Sequence, residues 1–318
     1  MLKKERIFER MNELGSQRIP FLFIIDFLKE NEKIIPLDEL TGEIQFQIHS
    51  EPEKFSSELI LKKHPVSFKE YEIQFNFVKE NILFGNSYLT NLTCATPVEL
   101  NLNLEGMFKY SRAKYKLLWK DKFVCFSPET FVKITDRMIY SYPMKGTIDA
   151  SVENAREKIL SDKKEMAEHY TIVDLIRNDL SKVAKKVSVP RFRYIDEIQT
   201  NEKKLLQVSS EISGELPENF HQHLGDIFDE LLPAGSICGA PKDKTVEIIL
   251  EAETYDRNFY TGVFGIFDGK NVDSAVMIRF IEKTENGFVF KSGGGITHQS
   301  NARAEYDEMI DKIYVPIN

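Results

Sequence analysis

The sequence predicts an α+β fold of antiparallel sheets, and three observations predict it. Groups of short β-branched and aromatic segments alternate with groups of segments at helical period. Turn residues, such as Lys120-Asp121 and Asp136-Arg137, punctuate the strand-like groups. No Gly/Ser linker and no internal repeat interrupts the 318 residues, which read as one cooperative domain over 1–318.

Taken in order, Pro20 to Phe27 is a short aromatic and β-branched run, expected as a buried strand. Ile44 to Ile48 alternates as a strand does and is expected to pair with it as a hairpin. Phe68 to Asn81 has helical spacing with a Lys/Glu-rich outer face. Ser87 to Thr93 is a strand, and Tyr115 to Tyr142 supplies several more. Ser151 to Lys186 switches to the helical period, with a break near Ser161-Asp162. Strands return at Val187 to Val189, Tyr194 to Gln199 and Leu205 to Ile212. Helices at Phe220 to Leu232 and Pro241 to Glu253 flank the stretch from Pro233 to Ala240. Three strands follow, near Gly262 to Phe267, Ser274 to Glu282 and Gly287 to Ser292, before a closing helix from about Arg303 to Tyr314.

Composition excludes several classes. A net charge of -8 without a basic block argues against nucleic acid as the main partner. No apolar run approaches the length that spans a bilayer, and Met1 to Met11 is densely charged, without an apolar signal core. Cys94, Cys125 and Cys238 are widely spaced, which suits a reducing cytoplasm and gives no hint of zinc. An anionic substrate would need locally placed cations.

Tyr142-Pro143-Met144-Lys145-Gly146-Thr147 is the stretch around which the rest is organised. Pro143 fixes its own φ and Gly146 reaches φ values that other residues avoid, so Lys145 is expected on a stiff turn just past a strand end. A lysine there can act as a nucleophile if burial favours its neutral amine. A lone lysine in a turn is more commonly an ordinary surface residue.

Carboxylates sit on two helix faces. Glu165, Glu168, Ile172, Leu175 and Asp179 share one face, while Glu305, Glu308 and Lys312 share another beside Met309 and Ile313. Burying carboxylates is costly unless a cation or hydrogen bonds meet them. Two glutamate pairs would suit a hard cation such as Mg²⁺, which takes few protein carboxylates and keeps several waters. On spacing alone, a solvated glutamate-rich face is the commoner explanation.

Two glycine stretches could meet an anion. Gly235 to Lys242 precedes a helix and offers backbone N–H groups, though it lacks the spacing of a P-loop. Gly293-Gly294-Gly295 also leads towards a helix, and its bare backbone allows close approach by a ligand. Either could be a tight turn, but with Arg279 in a strand the pair favours an anion site.

Together these stretches resemble the chorismate-utilising enzymes: the component I chains of anthranilate and aminodeoxychorismate synthases, and the isochorismate and salicylate synthases. The resemblance rests on Ser127 to Phe131, Pro143 to Thr147, Ala167-Glu168-His169, and Ile172 to Asp179. It continues through Gly235 to Lys242, Tyr260 to Gly265, Met277-Ile278-Arg279, and Gly293-Gly294-Gly295-Ile296 to Glu305-Tyr306-Asp307-Glu308. The stretches keep the family's order and cover nearly the whole chain. The resemblance implies one chorismate-binding catalytic domain over 1–318. It also implies that the chain starts inside the family pattern, near Pro20 to Phe27, without most of the N-terminal regulatory region that builds a tryptophan pocket.

The resemblance further implies Mg²⁺ as cofactor, with Glu168 and Glu308 matching the family's ligands and Glu165 and Glu305 beside them. Tyr260 and Arg279 match residues that hold the enolpyruvyl carboxylate. Ser236 and Gly295 match groups lining the ring site. Gly146, Thr147, Gly239, Gly293, Gly294 and Lys312 complete the implied substrate contacts. Lys145 divides the family: anthranilate synthases carry a small residue there, and aminodeoxychorismate synthases carry lysine. In the lysine branch the neutral amine attacks C2 of the ring while an acid, matched by Glu129, assists departure of the C4 hydroxyl. Ammonia then enters at C4 and expels the lysine, giving 4-amino-4-deoxychorismate on the route to 4-aminobenzoate and folate.

Two departures qualify the match. Gln207 stands where many anthranilate synthases have histidine, which counts against that branch, and Cys238 replaces a usual threonine or serine. No Gly-x-Cys-x-Gly elbow surrounds any of the three cysteines, so ammonia is expected from solution or from a separate glutamine amidotransferase subunit. Anthranilate synthase, isochorismate or salicylate synthase, and a non-catalytic chorismate-binding subunit are the competing readings.

Overall fold

The structure, a computed structural model, describes residues 4–199 and 204–317. Its strands pair as antiparallel sheets flanked by helices, as the sequence predicts. The chain divides into two compact units, each assembled from three stretches: Met1–Leu22, Thr130–Ser236 and Gly265–Ser274, and Phe23–Glu129, Ile237–Phe264 and Ala275–Asn318.

In the first unit, the strand Lys204–Glu215 is the organising element. The strand Lys185–Gln199 pairs with it throughout its length, and Met144–Asp149 and Met138–Ser141 also pair with it. The hairpin between Thr130–Thr135 and Met138–Ser141 turns at Asp136 and Arg137, with φ of 48° and 70°. Positive φ at both central residues matches the right-handed twist of the strands they join. Helices Ala155–Ser161 and Lys163–Val183 are separated at Asp162, whose side chain accepts from Glu165 N–H at 2.9 Å and caps the second helix. This is the break expected near Ser161-Asp162.

In the second unit the sheet runs Gly239–Ala240, Leu89–Leu100, Gly287–Ile296, Phe280–Thr284, Phe123–Ser127, Tyr115–Trp119, Ile44–Ile48, with Leu61–Lys63 also on Leu89–Leu100. Ile44–Ile48 therefore pairs with Tyr115–Trp119, and the expected hairpin with the first strand is corrected. Glu32–Pro36 is the neighbour of Phe21–Ile25 instead, a choice of partner that local alternation cannot encode. Helix Phe68–Phe84 starts at a Ser67/Glu70 capping box and stops at Gly85, φ 94°. Its buried face, with Tyr71, Phe75 and Val78, joins Leu92, Phe126, Phe290 and Met309 in the core. Lys116 is buried too, and its Nζ donates to the carbonyls of Phe108 and Ser111 at 2.9 Å each. Those carbonyls close the helix Leu104–Tyr110, so the cation answers orphan acceptors at a helix end.

Candidate active site

Lys145 lies within a strand, which corrects the expectation of a turn. Met138–Ser141 and Met144–Asp149 both pair with Lys204–Glu215, through Ser141↔Ile212 and Met144↔Ser209. Between them Pro143 interrupts the ladder without reversing the chain, and its carbonyl still accepts from Ser210 N–H at 3.0 Å. The register shifts between Met144 and Thr147, where Gly146 takes φ 81°. A bulge with glycine in the left-handed region re-aims the neighbouring side chains. Pro143 and Gly146 thus shape a bulged strand, with Lys145 at the bulge.

From there Lys145 Nζ donates to Glu168 Oε2 at 2.9 Å, with the lysine 29% and the glutamate 15% exposed. Glu165 stands on the same helix, and a Cβ on Gly146 would lie 3.2 Å from its Oε2. Thr147 pairs with Gln207 across the strands, and the Gln207 amide approaches Thr147 Oγ1 at 3.5 Å. His169, fully buried, meets Ser210 Oγ at 2.7 Å, and that hydroxyl also accepts from Arg193 N–H. Burial, with Arg193 and Lys145 nearby, pushes the imidazole down to about 4, so it is neutral at pH 7. Ser236 belongs to the same unit, in the short helix Gly235–Cys238.

The second unit holds the other carboxylates. Gly293, Gly294 and Gly295 are strand residues opposite Thr93, Leu92 and Asn91, which corrects the reading of a loop before a helix. Leu89–Leu100 approaches so closely that a Cβ on Gly293 would fall 2.2 Å from the Leu92 carbonyl oxygen. Gly294 faces the final helix, Ala302–Asp311. A Cβ there would lie 3.3 Å from Glu305 Oε2, 3.6 Å from Lys312 Nζ and 3.8 Å from Glu308 Oε1. Lys312 Nζ pairs with Glu308 at 2.7 Å and donates to Gly293 O at 2.9 Å. Glu305 is only 6% exposed. A buried carboxylate over a bare glycine, with a second carboxylate beside it, offers hard oxygen donors of the kind Mg²⁺ takes. Within either unit, and among the described residues, no three His, Cys, Asp or Glu side chains gather closely enough to hold an ion unaided.

Gly239 pairs with Thr90, and its φ of 131° and a clash with the Leu89 carbonyl exclude any Cβ. Its bare backbone is required by the sheet itself. Tyr260 is buried, which pushes its phenol up, although Arg257 pulls the other way. Arg279 has φ 52°, and its guanidinium sits 5.3 Å from the centre of the Tyr314 ring. Its Nε is buried with no hydrogen-bond partner among the described residues. Glu129 closes the second unit's first stretch, with its N–H on Ser127 Oγ and its carbonyl accepting from Val276.

Three features escaped the sequence reading. Tyr314 under Arg279 carries no local signal, and the stretch Ala167-Glu168-His169 gives His169 no role of its own. Arg257 and Glu253 form a fully buried ion pair at 2.6 Å, and their i,i+4 spacing was the available clue.

The model of the chorismate binding enzyme family matches residues 24–318. An uncharacterised PabA-like protein of Haemophilus influenzae is 51% identical over 318 residues, 98% of this chain and 97% of that protein. Aminodeoxychorismate synthase component 1 of Salmonella typhimurium is 31% identical over 260 residues, 77% of this chain and 56% of that protein. Among solved structures, the menaquinone-specific isochorismate synthase of Escherichia coli superposes with a TM-score of 0.73 at 16% identity, covering 97% of this chain and 80% of that one. That likeness is one of fold.

Proposed function

The chain belongs to the chorismate binding enzyme family, and from that premise we propose that it is an aminodeoxychorismate synthase component I. The observation that carries this reading is Lys145 itself, at a strand bulge and within 2.9 Å of Glu168. The 31% identity to a named aminodeoxychorismate synthase component 1 supports it.

In the proposed reaction the Lys145 amine forms a bond to C2 of the chorismate ring. The two conjugated ring double bonds each shift one position towards C4, and the C4 hydroxyl leaves as water with a proton from Glu129. Ammonia then bonds to C4, both double bonds shift back, and the lysine departs from C2 as the neutral amine, leaving a C4 ammonium whose proton restores the Glu129 acid. The enolpyruvyl ether is retained, so the product is 4-amino-4-deoxychorismate, a precursor of 4-aminobenzoate and folate. Attack requires a neutral amine, so the Lys145–Glu168 pair must open first. General-acid help from Glu129 is worth about 10²- to 10⁴-fold.

Arg279 and Tyr260 would hold the enolpyruvyl carboxylate. Ser236, Gly239, Gly293, Gly294, Gly295, Gly146, Thr147 and Lys312 would line the rest of the substrate. The Mg²⁺ ligands that the resemblance implies are Glu165 and Glu168 of the first unit and Glu305 and Glu308 of the second, and the ion would neutralise a substrate carboxylate. A separate glutamine amidotransferase would deliver ammonia, and ammonium salts should replace it. A reducing cytoplasm suits the three buried free cysteines.

The test is product analysis with chorismate, Mg²⁺ and an ammonium salt, alongside mass spectrometry of the protein incubated without ammonia. Aminodeoxychorismate and a covalent adduct on Lys145 are expected. Anthranilate or isochorismate as the sole product would overturn the assignment.

A further inference from the structure

The two glutamates proposed as principal Mg²⁺ ligands each face a lysine. Glu168 accepts from Lys145 at 2.9 Å in the first unit, and Glu308 pairs with Lys312 at 2.7 Å in the second. Lys312 is further anchored on the Gly293 carbonyl, so its ammonium is held beside Gly294, close to the Glu305 and Glu308 oxygens. The pattern arises from different parts in the two places: a bulged strand against a helix in one, and a single helix end against a glycine strand in the other.

An ammonium and a divalent cation seek the same carboxylate oxygens and repel each other. Both pairs are partly open to solvent, which screens that repulsion and leaves a modest effect on metal affinity. We propose that Lys145 and Lys312 are tethered counter-ions that compete with the free metal ion for Glu168 and Glu308. They hold the carboxylates in place without an ion, and they weaken the protein's hold on the ion in the absence of substrate. The proposal rests on the Mg²⁺ reading above.

The competition is measurable without turnover. Mn²⁺ prefers the same oxygen donors and can be titrated into the full chain, without chorismate, by following the loss of the free-ion paramagnetic resonance signal. Lys145→Met and Lys312→Met should each bind Mn²⁺ about three- to tenfold more tightly than the parent. Lys145→Arg and Lys312→Arg keep the charge and should bind as weakly as the parent. Unchanged or weaker binding in both methionine variants, with thermal unfolding showing them folded, would overturn the competition. If a methionine variant does not fold, its arginine counterpart decides: binding tighter than the parent's, with the charge kept, also overturns it. A parent protein that takes up no Mn²⁺ even with chorismate present would instead remove the Mg²⁺ reading, and the competition with it.

Discussion

Arg257–Glu253 in the second unit and Lys145–Glu168 in the first are both close ion pairs, at 2.6 and 2.9 Å, in different surroundings. Arg257 and Glu253 are 1% and 2% exposed. Arg257 also donates to the Ile237 and Asn91 carbonyls and to Thr261, while Glu253 accepts from the Thr93 N–H and hydroxyl. Burial opposes the charge on Arg257, but Glu253 beside it more than offsets that and holds the guanidinium ionised. Lys145 keeps about a third of its side chain open, on a bulge. A charge pair fixed on every side is part of the scaffold, whereas one open to exchange can take part in chemistry.

The contrast yields a ranked series of tests. Arg257→Met leaves a buried carboxylate without its cation and should cost about 3–5 kcal/mol, read as a lower urea midpoint or as failure to accumulate folded protein. A loss below about 1 kcal/mol would mean that the pair is not the anchor described.

The next effect belongs to His169. Its folded value, about 4, lies below that of a free imidazole, so the unfolded state takes up a proton first as pH falls. Its stabilising contribution is therefore complete above about pH 6.5 and declines towards pH 4, by up to about 1.4 kcal/mol per pH unit. Urea titrations in chelator, comparing the parent with His169→Gln, should show a flatter profile for the variant across that window.

Tyr314→Ala removes the ring under Arg279, worth about 0.5–1 kcal/mol at an exposed site. The KM for chorismate should rise about two- to fivefold with kcat nearly unchanged, and Tyr314→Phe should restore it. An altered kcat with constant KM would separate Tyr314 from substrate binding.

The smallest stability effect should come from the residue with the largest catalytic one. Lys145→Ala should change the unfolding free energy by less than about 1 kcal/mol, since the pair is partly solvated, while amination at C4 is lost. A stability loss matching that of Arg257→Met would erase the distinction between the two pairs.

The fold class was legible because its cues are local: turn residues at Asp136-Arg137, a helical period broken at Asp162, and the helical spacing of Phe68 to Asn81. Where partners decide, local rules misled. Pro143 and Gly146 favour a turn in isolation, yet Lys204–Glu215 holds the chain on both sides of them. Three consecutive glycines have little strand propensity, but the backbone of Leu89–Leu100 lies too close for side chains at Gly293. The carboxylates and lysines of the candidate site could be named from sequence, because the motifs carry them. That Lys145 pairs with Glu168, and Lys312 with Glu308 above a glycine, depends on contacts that no spacing rule reports.

The strand Gly287–Ile296 lies between Leu89–Leu100 and Phe280–Thr284 in the second unit's sheet. On a ribosome this means that the 12-residue strand Leu89–Leu100 emerges early and waits, with one edge unanswered, until residue 296 has been made. At synthesis rates of about 5–20 residues per second the wait lasts on the order of ten seconds or more. An open strand edge is a template for pairing with other nascent chains, so yield in the cell should depend on translation speed and on holding chaperones. A stop codon before residue 287 would leave Leu89–Leu100 and Phe280–Thr284 without the strand that joins them.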